Sequence, residues 1–140
     1  MFKTILVPTD GSALSRLAED AAIAFARVNG ATLVALAVAQ PADTAPGGEA
    51  PATGASEIVE LAQDRVEDLA RRAQEADIPS QCSVALSVRA YEEILKAASD
   101  FQCDAIFMSS HGQHGIKEEL LGSQTQNVLV RARLPVIVFR

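Results

Sequence analysis

The run Ile5-Leu6-Val7 is apolar at every position and stops at Pro8-Thr9-Asp10-Gly11. A half-solvated strand alternates apolar and polar residues, whereas an unbroken run suits a parallel strand covered on both faces. Similar runs return in Leu33-Val34-Ala35-Leu36, in Ala105-Ile106-Phe107-Met108 and in Val136-Ile137-Val138-Phe139. Between them, apolar residues recur at helical spacing. This pattern predicts strands over residues 2–8, 32–39, 80–88, 105–109 and 134–139. The first helix is capped at Asp10-Gly11-Ser12, carries Leu14, Leu17, Ala18, Ala21, Phe25 and Val28 on its buried stripe, and ends at Asn29-Gly30. The second covers residues 57–76, with Ile58, Leu61, Ala62, Val66, Leu69 and Ala73 facing inward. Glu57 and Glu60 near its start, and Arg71 and Arg72 near its end, read as a solvated face suited to the helix dipole. Tyr91, Ile94, Leu95 and Ala98 mark a short third helix, and residues 122–131 a fourth. Strands alternating with helices imply an α/β fold, a doubly wound five-stranded parallel sheet with four helices and right-handed crossovers. Residues 40–55, rich in Pro, Gly and Ala without periodicity, are expected to be a mobile loop within a single domain spanning residues 1–140.

The chain is long enough for one proper core, and its composition excludes several classes of function. The net charge is -6 and no basic stripe is present, so nucleic acid is not an expected partner. No apolar run approaches the ~20 residues that cross a bilayer. Asp10 interrupts the apolar start before it reaches the length of a signal peptide. A cytoplasmic protein is expected. Cys82 and Cys103, far apart in sequence, are expected to be inert. His111 and His114 have no cysteine or further histidine at metal-ligand spacing.

One segment carries chemistry. The fourth apolar run ends in Met108-Ser109-Ser110-His111-Gly112, and after Gly115 a helix opens at Leu121-Gly122-Ser123. A strand, a glycine loop and a helix start in that order can bind an anion, because glycines let the backbone approach and the first helical N–H groups lack intrahelical acceptors. Each residue also has a plainer role. Asp10 and Ser123 can simply cap helices, His111 can face solvent, and Lys117 can pair with Glu118 or Glu119 rather than neutralise phosphate. The Gly-x-Gly-x-x-Gly of dinucleotide sites and the Gly-x4-Gly-Lys-[Ser/Thr] of P-loop enzymes are both absent. With no catalytic set visible, a binding or sensing module is expected. Any hydrolysis should be well below the ~1–100 s⁻¹ of kinases.

Ser109-x2-Gly112-x9-Gly122-Ser123, together with Ile5-Leu6-Val7-Pro8-Thr9-Asp10-Gly11-Ser12 and Leu134-Pro135-Val136-Ile137-Val138, resembles the universal stress proteins. Their nucleotide-binding members carry Gly-x2-Gly-x9-Gly-[Ser/Thr]. Here both spacings match, and Ser109 replaces the first glycine. The resemblance implies a Rossmann-like sheet of strand order 3-2-1-4-5, which places Asp10 near Ser109 and Gly112 where the strand order reverses. It further implies an ATP site, with Mg²⁺. Pro8, Thr9 and Asp10 would line the nucleoside end, and Val38 would meet the adenine edge through its backbone. Met108, Ser109, His111, Gly112, Gly122 and Ser123 would run toward the phosphates, with Gln124 and Thr125 beside them. A nucleotide-dependent stress-response regulator, homodimeric through the C-terminal strand, is the function this implies. The family also has a branch that works through protein contacts without nucleotide, and Ser109 is the feature that favours it. A slow, self-phosphorylating ATPase is a third reading.

Overall fold

The computed structural model describes residues 1–41, 55–110 and 122–140. Among these, strands β1 (Thr4–Pro8), β2 (Thr32–Ala39), β3 (Ser80–Leu86), β4 (Ala105–Ser109) and β5 (Val136–Phe139) alternate with helices α1 (Ala13–Asn29), α2 (Ala55–Glu75), α3 (Ala90–Asp100) and α4 (Ser123–Arg131). All strand pairs are parallel, in the order β3-β2-β1-β4-β5. This is the expected doubly wound α/β fold.

The continuous apolar runs are explained by what covers each face. Ile5, Val7, Leu33, Ala35, Ala37, Ala39, Ala105 and Phe107 pack with Ala22 and Ala26 of α1 and Ala62, Val66, Leu69 and Ala73 of α2. The intervening residues Leu6, Val34, Leu36, Ile106 and Met108 pack with Ile94, Ala97 and Ala98 of α3 and Val128 of α4. Period-2 side-chain alternation thus sends every residue of the β1, β2 and β4 runs into one core or the other. On the α1 face, Phe2, Phe25, Phe107 and Phe139 form a chain of ring contacts with centroids 5.6–5.7 Å apart.

Several boundaries differ from the sequence expectation, each for a local reason. β1 begins at Thr4 rather than residue 2, where the Asp104 carboxylate accepts from Lys3 N (2.8 Å) and Thr4 N (3.0 Å). β5 begins at Val136, because Pro135 has no N–H to donate, although its carbonyl still accepts from Ile106 N at 3.0 Å. β3 stops at Leu86, and Val88 is exposed. Ala55 already belongs to α2, so it is not part of the expected mobile loop, whose residues 42–54 lie outside the described ones.

The stripe of α1 also departs from expectation. Leu17 and Val28 are 51% and 84% exposed, while Ser15 and Glu19 are buried beside Ala18, Ala22 and Ala26. The stop at Asn29-Gly30 is as read from the sequence: Gly30 has φ +69° and its N–H donates to Ala26 O at 2.8 Å. Cys103 is half-buried, and burial followed by the neighbouring Asp104 pushes its thiol up to about 11, so it stays protonated at neutral pH. Cys82 is exposed. No helix among the described residues is long and apolar enough to cross a membrane.

Candidate functional site

The carboxyl ends of the central strands frame the candidate site. β1 remains paired with β2 as far as Pro8 opposite Leu36, and Thr9 N continues the ladder to Leu36 O at 2.8 Å. β4 remains paired with β5 to Ser109 opposite Phe139, and Ser110 N donates to Phe139 O at 2.8 Å. Between β1 and β4, however, the register consists of Ile5 opposite Ala105 and Leu6 opposite Ile106. The pairing stops there because the next bond would need an N–H from Pro8, which has none. The chain then leaves β1 for α1 on one face of the sheet and β4 for α4 on the other, which leaves a crevice where the strand order reverses. In doubly wound sheets this is where ligands bind.

One wall of the crevice is the turn from β1 into α1. Asp10 Oδ1 accepts from Ser12 N (2.9 Å), and Gly11 takes the left-handed φ of +80°. Ser12, not Asp10, caps α1, its Oγ accepting from Ser15 N at 3.0 Å. Thr9 is buried, and its hydroxyl faces inward, donating to Glu19 Oε2 at 2.9 Å. Ser15 Oγ lies 3.0 Å from that oxygen and 3.1 Å from Thr9 Oγ1, and accepts from Asp10 N at 3.3 Å. The other Glu19 oxygen accepts from Arg72 of α2, which also donates to Asp20 (3.0 Å) and Asp68 (3.1 Å). Arg72 has a side chain only 11% exposed and so departs from the solvated face expected at the end of α2, whereas Arg71 is exposed as expected. Burial alone would raise the Asp68 carboxyl, but bonds from Arg71 and Arg72, with their charges, hold it below the usual carboxylate range. The set Thr9-Ser15-Glu19-Arg72 was missed in the sequence. Its only signal there is a polar pair four residues apart on α1.

The opposite wall joins β4 to α4. Gly122 is the N-cap, with extended φ -62° and ψ 154°, so Ser123 is the first helical residue rather than the cap. The cap residue, being glycine, offers this helix no side-chain hydrogen bond. Its start is fixed to the end of β4: Gly122 N donates to Ser110 O (2.9 Å), and the buried Thr125 hydroxyl is 3.0 Å from both Ser109 O and Ser110 O. The Gln124 side chain turns away to α3, where its Oε1 accepts from Tyr91 N at 2.9 Å. Met108 is buried in the α3/α4 core, and Val38, half-buried, packs against the same core. The structure therefore brings Pro8, Thr9, Asp10, Ser109, Gly122, Ser123 and Thr125 to the carboxyl edge. Thr9, Gln124 and Thr125 have their side-chain oxygens engaged within the protein. His111 and Gly112 lie outside the described residues, as do His114, Gly115 and Lys117. No group of three or more His, Cys, Asp or Glu side chains that could hold a metal is found among the described residues.

Comparison with known proteins agrees with this architecture. The model of the universal stress protein family matches residues 1–140. A universal stress protein of Thermus aquaticus is 31% identical over 141 residues, covering 100% of both chains. The universal stress protein MJ0577 of Methanocaldococcus jannaschii is 32% identical over 85 residues, 61% of this chain and 52% of that one. The solved structure of MJ0577 superposes with a TM-score of 0.80 at 28% identity, covering 99% of this chain and 96% of that chain. At the level of fold alone, two further structures are similar. One is a universal stress protein in complex with cAMP (TM-score 0.70, 21% identity, 99% and 97% covered). The other is that of Archaeoglobus fulgidus in complex with dAMP (TM-score 0.71, 19% identity, 99% and 98% covered). With its whole length matched by the family model and the sheet order in place, the chain belongs to the universal stress protein family.

Proposed function

We propose that this protein binds an adenine nucleotide, ATP with Mg²⁺, in the crevice between β1 and β4 and acts as a homodimeric, nucleotide-dependent stress-response regulator. The observation that carries the reading is the departure of α1 and α4 to opposite faces of the sheet from the neighbouring carboxyl ends of β1 and β4, with the glycine-capped start of α4 tied to the end of β4. The first N–H groups of an α-helix have no intrahelical acceptor, and a helix start favours negative charge by about 0.3–1 kcal/mol per group. α1 satisfies one such donor with its own Ser12, whereas the cap residue of α4 is a glycine without a side chain to do so, which suits this start to phosphate. The cAMP and dAMP complexes of two relatives of the same fold support an adenine nucleotide as the ligand class. Mg²⁺ would enter with the phosphates, since this ion is commonly held by one or two carboxylates plus substrate oxygens.

Ser109 favours the second reading, a protein that works through protein contacts without nucleotide. It ends β4 in ordinary strand pairing opposite Phe139, a backbone that serine adopts as readily as glycine. We therefore keep nucleotide binding as the leading function.

Calorimetric titration tests it. ATP with Mg²⁺ should release or absorb heat and raise the thermal midpoint, and GTP should bind more weakly. Ser109→Gly should bind ATP equally or more tightly. Gly122→Val should weaken binding by at least about tenfold, equivalent to ~1.4 kcal/mol. The extended φ of -62° at Gly122 is open to valine, so the loss should come from the side chain meeting the phosphates and not from backbone strain. No heat and no thermal shift at millimolar ATP would overturn the reading. A folded Gly122→Val protein that binds like the parent would move the phosphates elsewhere.

A further inference from the structure

The chain has nine arginines, all within the described residues; seven are exposed, and the two half-buried ones are Arg65 and Arg72. They are seven residues apart on α2, about two helical turns, and so lie on one face. Arg65 reaches the turn before α1 and Arg72 reaches α1 itself, and their surroundings are opposite. Arg72 is met by the carboxylates of Glu19, Asp20 and Asp68. Arg65 forms no ion pair and no hydrogen bond among the described residues, although its own helix also carries Asp64 and Glu67 and the chain has 18 acidic residues.

The guanidinium of Arg65 is nonetheless placed. Its Nε lies 2.9 Å, and its Cδ and Cζ 3.5 Å, from where a Cβ on residue 11 would be. Glycine at position 11 thus leaves room for the arginine as well as permitting the φ of +80°. Gly11 directly follows Asp10 at the carboxyl end of β1, so a cation that forms no ion pair among the described residues stands beside the crevice. A partly desolvated charge is costly unless something pairs with it. Guanidinium is weakly hydrated and offers a planar fork of donors that matches phosphate oxygens.

We propose that Arg65 pairs with the phosphate groups of the bound nucleotide and supplies the fixed positive charge that the missing P-loop lysine supplies elsewhere. This rests on the nucleotide reading of the crevice. Arg65 reaches the ligand from α2, across the β1 turn, opposite the lip formed by the start of α4.

The test compares ATP with adenosine, which has the same base and sugar but no phosphate. Arg65→Met keeps the apolar stem and removes the charge. The parent should bind ATP more tightly than adenosine. Arg65→Met should lose about tenfold in ATP affinity, the scale of one charge-assisted hydrogen bond, and keep adenosine within about twofold. Arg65→Lys should recover part of the loss, and the salt dependence of ATP binding should be shallower in Arg65→Met. Circular dichroism and the thermal midpoint check folding. Unchanged ATP affinity in Arg65→Met would overturn the proposal. Equal losses for ATP and adenosine would also overturn it, since Arg65 would then only support the turn. A parent that binds neither ligand removes the nucleotide reading itself, and this proposal with it, whereas a parent that binds both leaves only Arg65 at stake.

Discussion

A carboxylate 4% exposed between a helix and a sheet is tolerable only when its oxygens are fully engaged, and Glu19 meets that condition through Thr9, Ser15 and Arg72. Removing one member of such a buried pair leaves the other charge stranded. Arg72→Met should therefore destabilise the fold by about 3–5 kcal/mol, measured by urea unfolding. Combining it with Glu19→Gln should restore much of the loss, because the amide oxygen still accepts from Thr9 and no charge is left behind. A single variant within about 0.5 kcal/mol of the parent would show that the pair carries no such weight. This network explains what the sequence hid. Helical periodicity assigned Leu17 and Val28 to the core because they are apolar, and both are exposed. Ser15 and Glu19 can take the inner face because Arg72, 53 residues away, comes to meet them. A pairing over that distance leaves no local trace, whereas Asp10-Gly11-Ser12 was legible because turn and cap are made by adjacent residues.

Elements were legible where a run of apolar residues met a breaker, as at Val7-Pro8 and Asn29-Gly30. Their ends were less legible where another element sets them, as Asp104 does for β1. Burial alone would raise the Asp104 carboxyl, but backbone bonds from Lys3 and Thr4 outweigh it, so the group lies below its ordinary value. A carboxylate lowered by folding adds stability above its ordinary value and loses it as pH falls through the lowered one. Urea midpoints should thus be level near neutrality and decline below about pH 4, and Asp104→Asn should flatten that decline without abolishing it. Asp68, lowered against burial by Arg71 and Arg72, contributes in the same direction. An acid limb identical in Asp104→Asn and the parent would contradict this. At the other lip, the start of α4 at Gly122 was readable from the Gly-Ser pair, but the bonds from Thr125 to the end of β4 were not, since they depend on which strand the helix folds back against.

For the whole molecule, the order β3-β2-β1-β4-β5 leaves β5 as an edge of four apolar residues. An uncovered edge of that kind invites pairing with another chain, and twofold pairing with a second copy closes it. Ile137 and Phe139 pack into the α1/α2 core, so a charge at either would damage the fold as well. Val138, half-buried and on the opposite face of the strand, is the cleaner probe. We expect a dimer by light scattering at micromolar concentration, and Val138→Lys should shift the mass to that of a monomer while circular dichroism stays the same. A parent that is already monomeric would refute the dimer, and an unchanged dimer in Val138→Lys would refute its placement at β5. Family membership was readable from the spacing of Gly112, Gly122 and Ser123 because that motif is local. The adjacency of β1 and β4 was not readable from any local pattern, because it joins strands about 100 residues apart in sequence.

The seam between β1 and β4 has a mechanical side. One half of the sheet is β3-β2-β1 and the other is β4-β5, and the backbone ladder between them is two residue pairs long, reinforced by α1 packing over both β1 and β4. A molecule gripping the end of β1 on one side and the start of α4 on the other would span this seam as a cross-brace. It would tie the halves where the sheet itself does so least, so occupancy would be felt as stiffness across the domain as well as at the rim of the crevice.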